Sequence, residues 1–147
     1  MIAVVQRVSS SYVEVDEKIV GKIGRGINIL LGVVKSDTDS DVEKLVNKIP
    51  HLRIFEDKNG KMNLSLIDIN GEALIISQFT LAGNLKKGRR PSFENAEELS
   101  KAEKLYNHFV NQMSKIVPVQ TGVFAAHMKV FIENDGPVTF IVNSKEL

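Results

Sequence analysis

The residues best suited to chemistry gather in three short segments. Ser77, Gln78, Phe79, Thr80 and Leu81 follow directly on the apolar run 73–76, so hydroxyl and amide groups collect where a strand stops, a common place for a site. The same groups also suit a humbler task, satisfying backbone N–H and C=O at a strand-to-loop transition. Residues 134–139, Asn-Asp-Gly-Pro-Val-Thr, hold a Gly136–Pro137 step. This reads either as an ordinary hairpin with a trans proline or, if the bond is cis, as a fixed backbone geometry. Lys86, Lys87, Arg89 and Arg90 form a basic cluster, either a solvated loop or a set of phosphate ligands.

Stronger catalytic machinery is missing from the sequence. There is no cysteine, which excludes a thiol nucleophile and thiolate metal ligands. His51, His108 and His127 are the three histidines, and no two have metal-ligand spacing, so no metal and no cofactor are expected. Phosphate-loop, nucleophile-elbow and HExxH patterns are absent. An enzyme built from this chain works without an obvious strong base.

The elements that must position these segments are legible from periodicity. Residues 2–8 are β-rich, and 12–15 and 19–23 flank the polar turn Asp16, Glu17, Lys18, which predicts a hairpin. Residues 27–34 are apolar on both faces and predict a central strand. Val42, Leu45, Val46 and Ile49 share one face of a helix, with Ser40 and Glu43 as a capping box and Pro50 at its end. Asn59–Gly60 predicts a hairpin turn between strands near 54–55 and 64–67, and Asn70–Gly71 a turn leading into 73–76. A long helix is predicted over 95–117, capped by Asn95 and Glu98, burying Leu99, Ala102, Tyr106, Phe109, Met113 and Ile116. Strands return at 128–133 and 138–142. With no repeat or linker, residues 1–147 predict a single α+β domain in which antiparallel sheet dominates and helices pack on it.

Composition bounds the function. With 43% hydrophobic and 25% charged residues in 147, the chain has the balance of a soluble globular domain. A net charge of +1 argues against broad coating of nucleic acid, so any RNA contact is local. The alternating N-terminus lacks the apolar stretch of a signal peptide, and the run 27–34 is too short to span a bilayer. The expectation is a cytoplasmic protein with neither membrane nor DNA as partner.

The segments MIAVVQRV at the start, SQFTL at 77–81, GRRPSF at 88–93, TGVFAAHM at 121–128 and NDGPVT at 134–139 occur in this order. Together they resemble the D-aminoacyl-tRNA deacylases, also called D-tyrosyl-tRNA deacylases, over essentially the whole chain. The resemblance implies an antiparallel β-barrel-like fold with helices on one side and a two-fold homodimer with its active site at the interface. It further implies that Ser77, Gln78, Phe79 and Thr80 of one subunit face Gly136 and Pro137 of the other. There a cis-proline motif would bind the α-amino group and leave no room for an L side chain. Arg7 would hold that motif, and Met128 would line the pocket.

The implied substrate is the 3′ end and acceptor stem of D-aminoacyl-tRNA, with mischarged glycyl-tRNA accepted because glycine has no side chain to reject. Lys86, Lys87, Arg89 and Arg90 become contacts for the acceptor stem. Ester hydrolysis would need a placed water and oxyanion donors near Phe79 and Thr80. A Thr80 nucleophile or help from the 2′-hydroxyl stays open. Val123, Ala125 and His127 depart from the Arg, Gly and Asp that many members carry there. The competing reading is a non-catalytic RNA- or nucleotide-binding β-domain of the same fold.

Overall fold

A computed structural model describes residues 1–147. β1 (Ile2–Val15) runs without a break, because β8 (Lys129–Asn143) pairs antiparallel along nearly all of it. Its other edge is shared. Residues 11–15 pair with β2 (Lys18–Ile23), and residues 2–8 pair with β3 (Gly26–Gly32). The turn from β1 to β2 is Asp16–Glu17, with φ of 49° and 64°, the two-residue geometry whose twist matches a hairpin.

From β3 onward the pairing changes direction. β6 (Glu72–Ser77) lies parallel to β3, and β7 (Val119–Thr121) lies parallel to β6. Parallel neighbours need long crossovers, and this chain supplies two. The first carries α1 (Asp39–Lys48) and a small hairpin of β4 (Phe55–Glu56) and β5 (Met62–Leu64), and the second carries α2 (Leu99–Ser114). The single domain is therefore α+β with a mixed sheet, antiparallel around β1 and parallel around β6. A Cβ on Gly21 of β2 would lie 2.4 Å from the Thr121 carbonyl oxygen of β7, so the sheet curls back until its two ends meet, nearly closing a barrel. No helix is long and apolar enough to cross a membrane.

The main core lies between the sheet and the helices and includes Ile29, Leu45, Phe55, Ile75 and Phe109, with Val8, Val13, Ile23, Leu74 and Ile76 forming a second cluster. Each such side chain contributes about 1.5–3 kcal/mol by burial. Polar groups anchor the N-terminus of α1. The buried Met1 amino group donates to Asp37 Oδ1 at 2.6 Å, and Lys145 Nζ reaches Asp41 at 2.9 Å.

Several local expectations are corrected. The helix cap is Thr38, not Ser40. The Asp41 carboxylate accepts the Thr38 N–H at 2.9 Å and the Ser144 hydroxyl at 2.7 Å, partners that Ser40 and Glu43 lack. The second helix starts at Leu99 because residues 95–97 are tied to the segment after β3: Lys35 N–H donates to Asn95 O and Glu97 N–H to Val33 O. Its buried face is Leu105, Tyr106, Phe109 and Met113, while Leu99 and Ile116 are exposed. Finally, residues 129–133 and 138–142 belong to one strand rather than a hairpin, since both halves pair with β1.

Candidate active site

A cavity of about 440 Å³ opens where β6 ends. Ser77, Gln78 and Phe79 form one wall, residues 124–128 after β7 form another, and Leu99 and Ala102 of α2 close the third. Most of the lining is apolar, and Ser77, Gln78, Glu97 and His127 supply the polar groups. Such a cavity suits a ligand with a flat or apolar body and a few hydrogen-bonding positions.

β6 delivers its polar end here because the Gln78 N–H still donates to Leu31 O of β3 at 2.8 Å, and the chain then tightens into a 3₁₀ turn over Phe79–Ala82. The N–H groups that open a helical turn have no acceptor inside it, and Phe79 and Thr80 occupy those positions. Thr80 is not on the cavity wall. Its hydroxyl accepts the Gln78 side-chain amide at 2.5 Å, and an amide cannot take its proton. Phe79 is 59% exposed and its ring meets Phe93 edge-on at 5.1 Å.

Met128 lines the opposite wall. A Cβ on Gly122 would sit 2.5 Å from the Met128 sulfur, so a side chain at 122 would push Met128 from its present place. Ala125 adopts φ of 62°, a left-handed conformation that favours glycine, and lies in the same wall. His127 faces the cavity too, which its position in the sequence did not reveal. Glu97 and Leu99 are likewise wall residues that no motif pointed to, and Phe124 joins them from the segment 121–128. The Glu97 carboxyl is held below its usual range by the Glu98 N–H and by Lys101 at 3.1 Å, so a negative charge stands at the rim.

Gly136 and Pro137 are not on this cavity. They sit in an exposed excursion of β8, and their peptide bond is cis. Gly136 has φ of +133°, and a Cβ on it would meet Val138 Cγ2 at 2.6 Å, so the residue type is dictated by the backbone. Arg7, with its side chain 8% exposed, donates through Nε to Asp135 O at 3.1 Å and through Nη1 to Ile54 O at 2.9 Å. Within one chain, then, Arg7 joins the excursion while Ser77, Gln78, Phe79 and Met128 join the cavity. Lys86, Lys87, Arg89 and Arg90 are all exposed and in no ion pair. Their loop is pinned at its base by Asn84 and Ser92, whose backbones exchange hydrogen bonds of 2.7 and 3.0 Å. Phe93 follows directly, so the basic loop adjoins Phe79.

The fold and cavity define a barrel-like α+β protein with an apolar-lined cavity at a strand end and a basic loop beside it. The chain belongs to the D-Tyr-tRNA(Tyr) deacylase family, whose profile matches residues 4–143. It is 73% identical to the D-aminoacyl-tRNA deacylase of Persephonella marina and 58% identical to that of Aquifex aeolicus, each alignment covering all of both chains. Among solved structures, it superposes on one titled c-Myc DNA Unwinding Element Binding Protein with a TM-score of 0.93 and 43% identity, covering 97% of this chain and 98% of that one. A probable eukaryotic D-amino acid tRNA deacylase shares the fold, with a TM-score of 0.83 at 20% identity and the same coverage of both chains.

Proposed function

We propose that this protein hydrolyses the ester of D-aminoacyl-tRNA, releasing the D-amino acid and free tRNA, and that it acts as a two-fold homodimer in the cytoplasm. The observation that carries the reading is the division of parts. The cavity beside Ser77, Gln78 and Phe79 lacks Gly136 and Pro137, and that pair protrudes elsewhere beside Phe140 and Ile141, which are 41% and 75% exposed. Exposed apolar side chains next to a protruding backbone suit a second copy. In the dimer, the excursion of one chain covers the cavity of the other.

The chemistry follows from the groups present. The terminal adenosine and its ester enter the cavity, with Ser77 and Gln78 as hydrogen-bonding partners. Water adds to the ester carbonyl, and the oxyanion takes the free N–H groups of Phe79 and Thr80. Collapse expels the ribose oxygen, which takes up the proton the water gives up, and the 2′-hydroxyl beside it is placed to relay that proton. Water is favoured over a Thr80 nucleophile because the hydroxyl's partner is the Gln78 amide. Backbone carbonyls at Gly136 and Pro137 receive the α-ammonium group and stand where an L side chain would project. Swapping the hand at Cα exchanges hydrogen for side chain, so a stiff wall there selects by shape. Glycyl-tRNA, with hydrogen on both sides, passes the wall. Lys86, Lys87, Arg89 and Arg90 meet acceptor-stem phosphates.

Release of tyrosine from D-tyrosyl-tRNA and L-tyrosyl-tRNA at matched concentration tests this. The proposal expects rapid release from the D ester and little from the L ester. Absence of hydrolysis would leave a binding domain of this fold, and equal hydrolysis of both would remove the chiral wall.

A further inference from the structure

The excursion that carries Gly136 and Pro137 is defined by the register of β1 and β8. Gln6 faces Thr139 and Val8 faces Asn134, so the single residue Arg7 lies opposite the whole of 135–138. A strand that bulges this far loses ladder hydrogen bonds over the bulge, and other groups must hold its ends. Arg7 holds one limb, through the Asp135 carbonyl.

Asn134 holds the base. Its Nδ2 donates to Val138 O at 3.0 Å, bridging the excursion from the residue before it to its last. The same nitrogen donates to Arg7 O at 3.0 Å, tying that bridge to β1. On the other side of the amide, Oδ1 takes the Thr139 hydroxyl at 3.4 Å, and Thr139 Oγ1 accepts from Gln6 Nε2 at 3.3 Å. One primary amide thus uses both of its N–H groups on two backbone carbonyls from two strands, and its orientation is set by a third residue.

We infer that Asn134 is a positioning residue for stereochemical selection. By fixing the span from Asn134 to Val138, it sets how far Gly136 projects and how stiffly it stands there. The inference rests on the deacylase reading above and adds a residue that touches no substrate. Residues 135–137 are exposed and bury little, so loosening them costs selectivity more than folding. Asn134→Asp is the sharpest replacement, because it keeps the shape and turns an acceptor toward two carbonyls that need donors.

Rates on D- and L-tyrosyl-tRNA are to be measured for the unaltered protein, Asn134→Asp and Thr139→Val, with thermal unfolding of each. The D-to-L rate ratio is expected to fall about tenfold or more in Asn134→Asp, mainly through faster hydrolysis of the L ester, with the D rate kept within about threefold. Thr139→Val, at an exposed position, is expected to lower the ratio about two- to threefold in the same direction. An unchanged ratio in both variants, or equal losses on the two esters, overturns the inference. Should Asn134→Asp not fold, Thr139→Val decides alone, and a ratio it does not move overturns the inference. If the unaltered protein shows no preference for the D ester, the deacylase reading fails and this inference with it. If the preference survives intact in both variants, only the role of Asn134 is lost.

Discussion

The Tyr106 hydroxyl donates to the Ile75 carbonyl at 2.7 Å, two residues before Ser77. Ala73 N–H donates to Pro118 O, so by the alternation of a strand Ile75 and Ser77 present their backbone groups on that same edge of β6. β7 pairs no further than Thr121 with Ile75, and the phenol takes over the edge where the partner strand ends. The other face of the ring meets Phe124 at 5.5 Å, and Phe124 lines the cavity. One buried side chain of α2 therefore fixes two cavity walls against each other. Burial pushes the phenol up to about 12, so it stays a donor throughout the working pH range.

Replacing that hydroxyl isolates its effect, since Tyr106→Phe keeps the ring. The variant is expected to lose about 1–3 kcal/mol of stability, the usual cost of a buried acceptor without its donor. Its kcat should fall several-fold with KM little changed, because small shifts of Ser77 and Gln78 weigh most on the transition state. Urea unfolding and steady-state kinetics on D-tyrosyl-tRNA check both halves.

Ala125 offers a gain. At φ of 62° an alanine carries a strain of roughly 1–2 kcal/mol that glycine does not, set against the greater unfolded-state freedom of glycine, about 0.4–1 kcal/mol. Ala125→Gly should raise stability by up to about 1.6 kcal/mol and leave the cavity open, measured as a higher urea midpoint at unchanged slope.

Acid sensitivity should concentrate at Asp41. Burial pushes this carboxyl up, but hydrogen bonds from Lys145, Ser144 and the Thr38 backbone outweigh burial and hold it well below its ordinary 3.8. The unfolded chain therefore binds a proton that the folded chain refuses. The contribution is complete above the unfolded value and is lost as pH falls through the depressed one. The stability gap between the natural protein and Asp41→Asn should be widest above about pH 5 and close steadily below about pH 4, as followed by thermal unfolding across pH.

Charge reversal in the basic loop tests its proposed contact with the acceptor stem. Lys86→Glu with Arg90→Glu should weaken binding of whole D-aminoacyl-tRNA and flatten its dependence on salt, while sparing a short aminoacyl-adenosine mimic. Equal losses on both substrates would remove these side chains from the acceptor stem.

Much of this architecture is legible in the residues. Val42, Leu45 and Val46 mark the buried face of α1 by spacing alone, and Asp16 with Glu17 marks the first hairpin. What escapes periodicity is set by partners distant in sequence. The start of α2 is decided by Lys35 and Val33, some sixty residues away, whose backbones hydrogen-bond to Asn95 and Glu97. Parallel pairing of β3 with β6 leaves no local trace, since a doubly buried strand is apolar on both faces in either direction.

The site divides in the same way. Ser77 and Gln78 are visible as polar residues where an apolar strand stops, and with Phe79 they do reach a cavity. Glu97 and Leu99 are not, because an acidic residue and a leucine near the start of a helix have no distinguishing pattern until the walls close. The long reach of Asn134 to Arg7 is equally silent, since a lone Asn before Asp-Gly-Pro reads as a turn residue.

A cross-link tests the two-chain site most directly. The natural chain has no cysteine, so single cysteines placed by Phe79→Cys in one batch and Pro137→Cys in another are the only thiols present. Mixed, dissociated, reassociated and treated with a short thiol cross-linker, they should give a covalent dimer joining one chain of each kind, in yield well above either batch alone. No such mixed dimer, or an intramolecular cross-link when both cysteines are placed in one chain, would contradict a wall donated by the neighbouring chain.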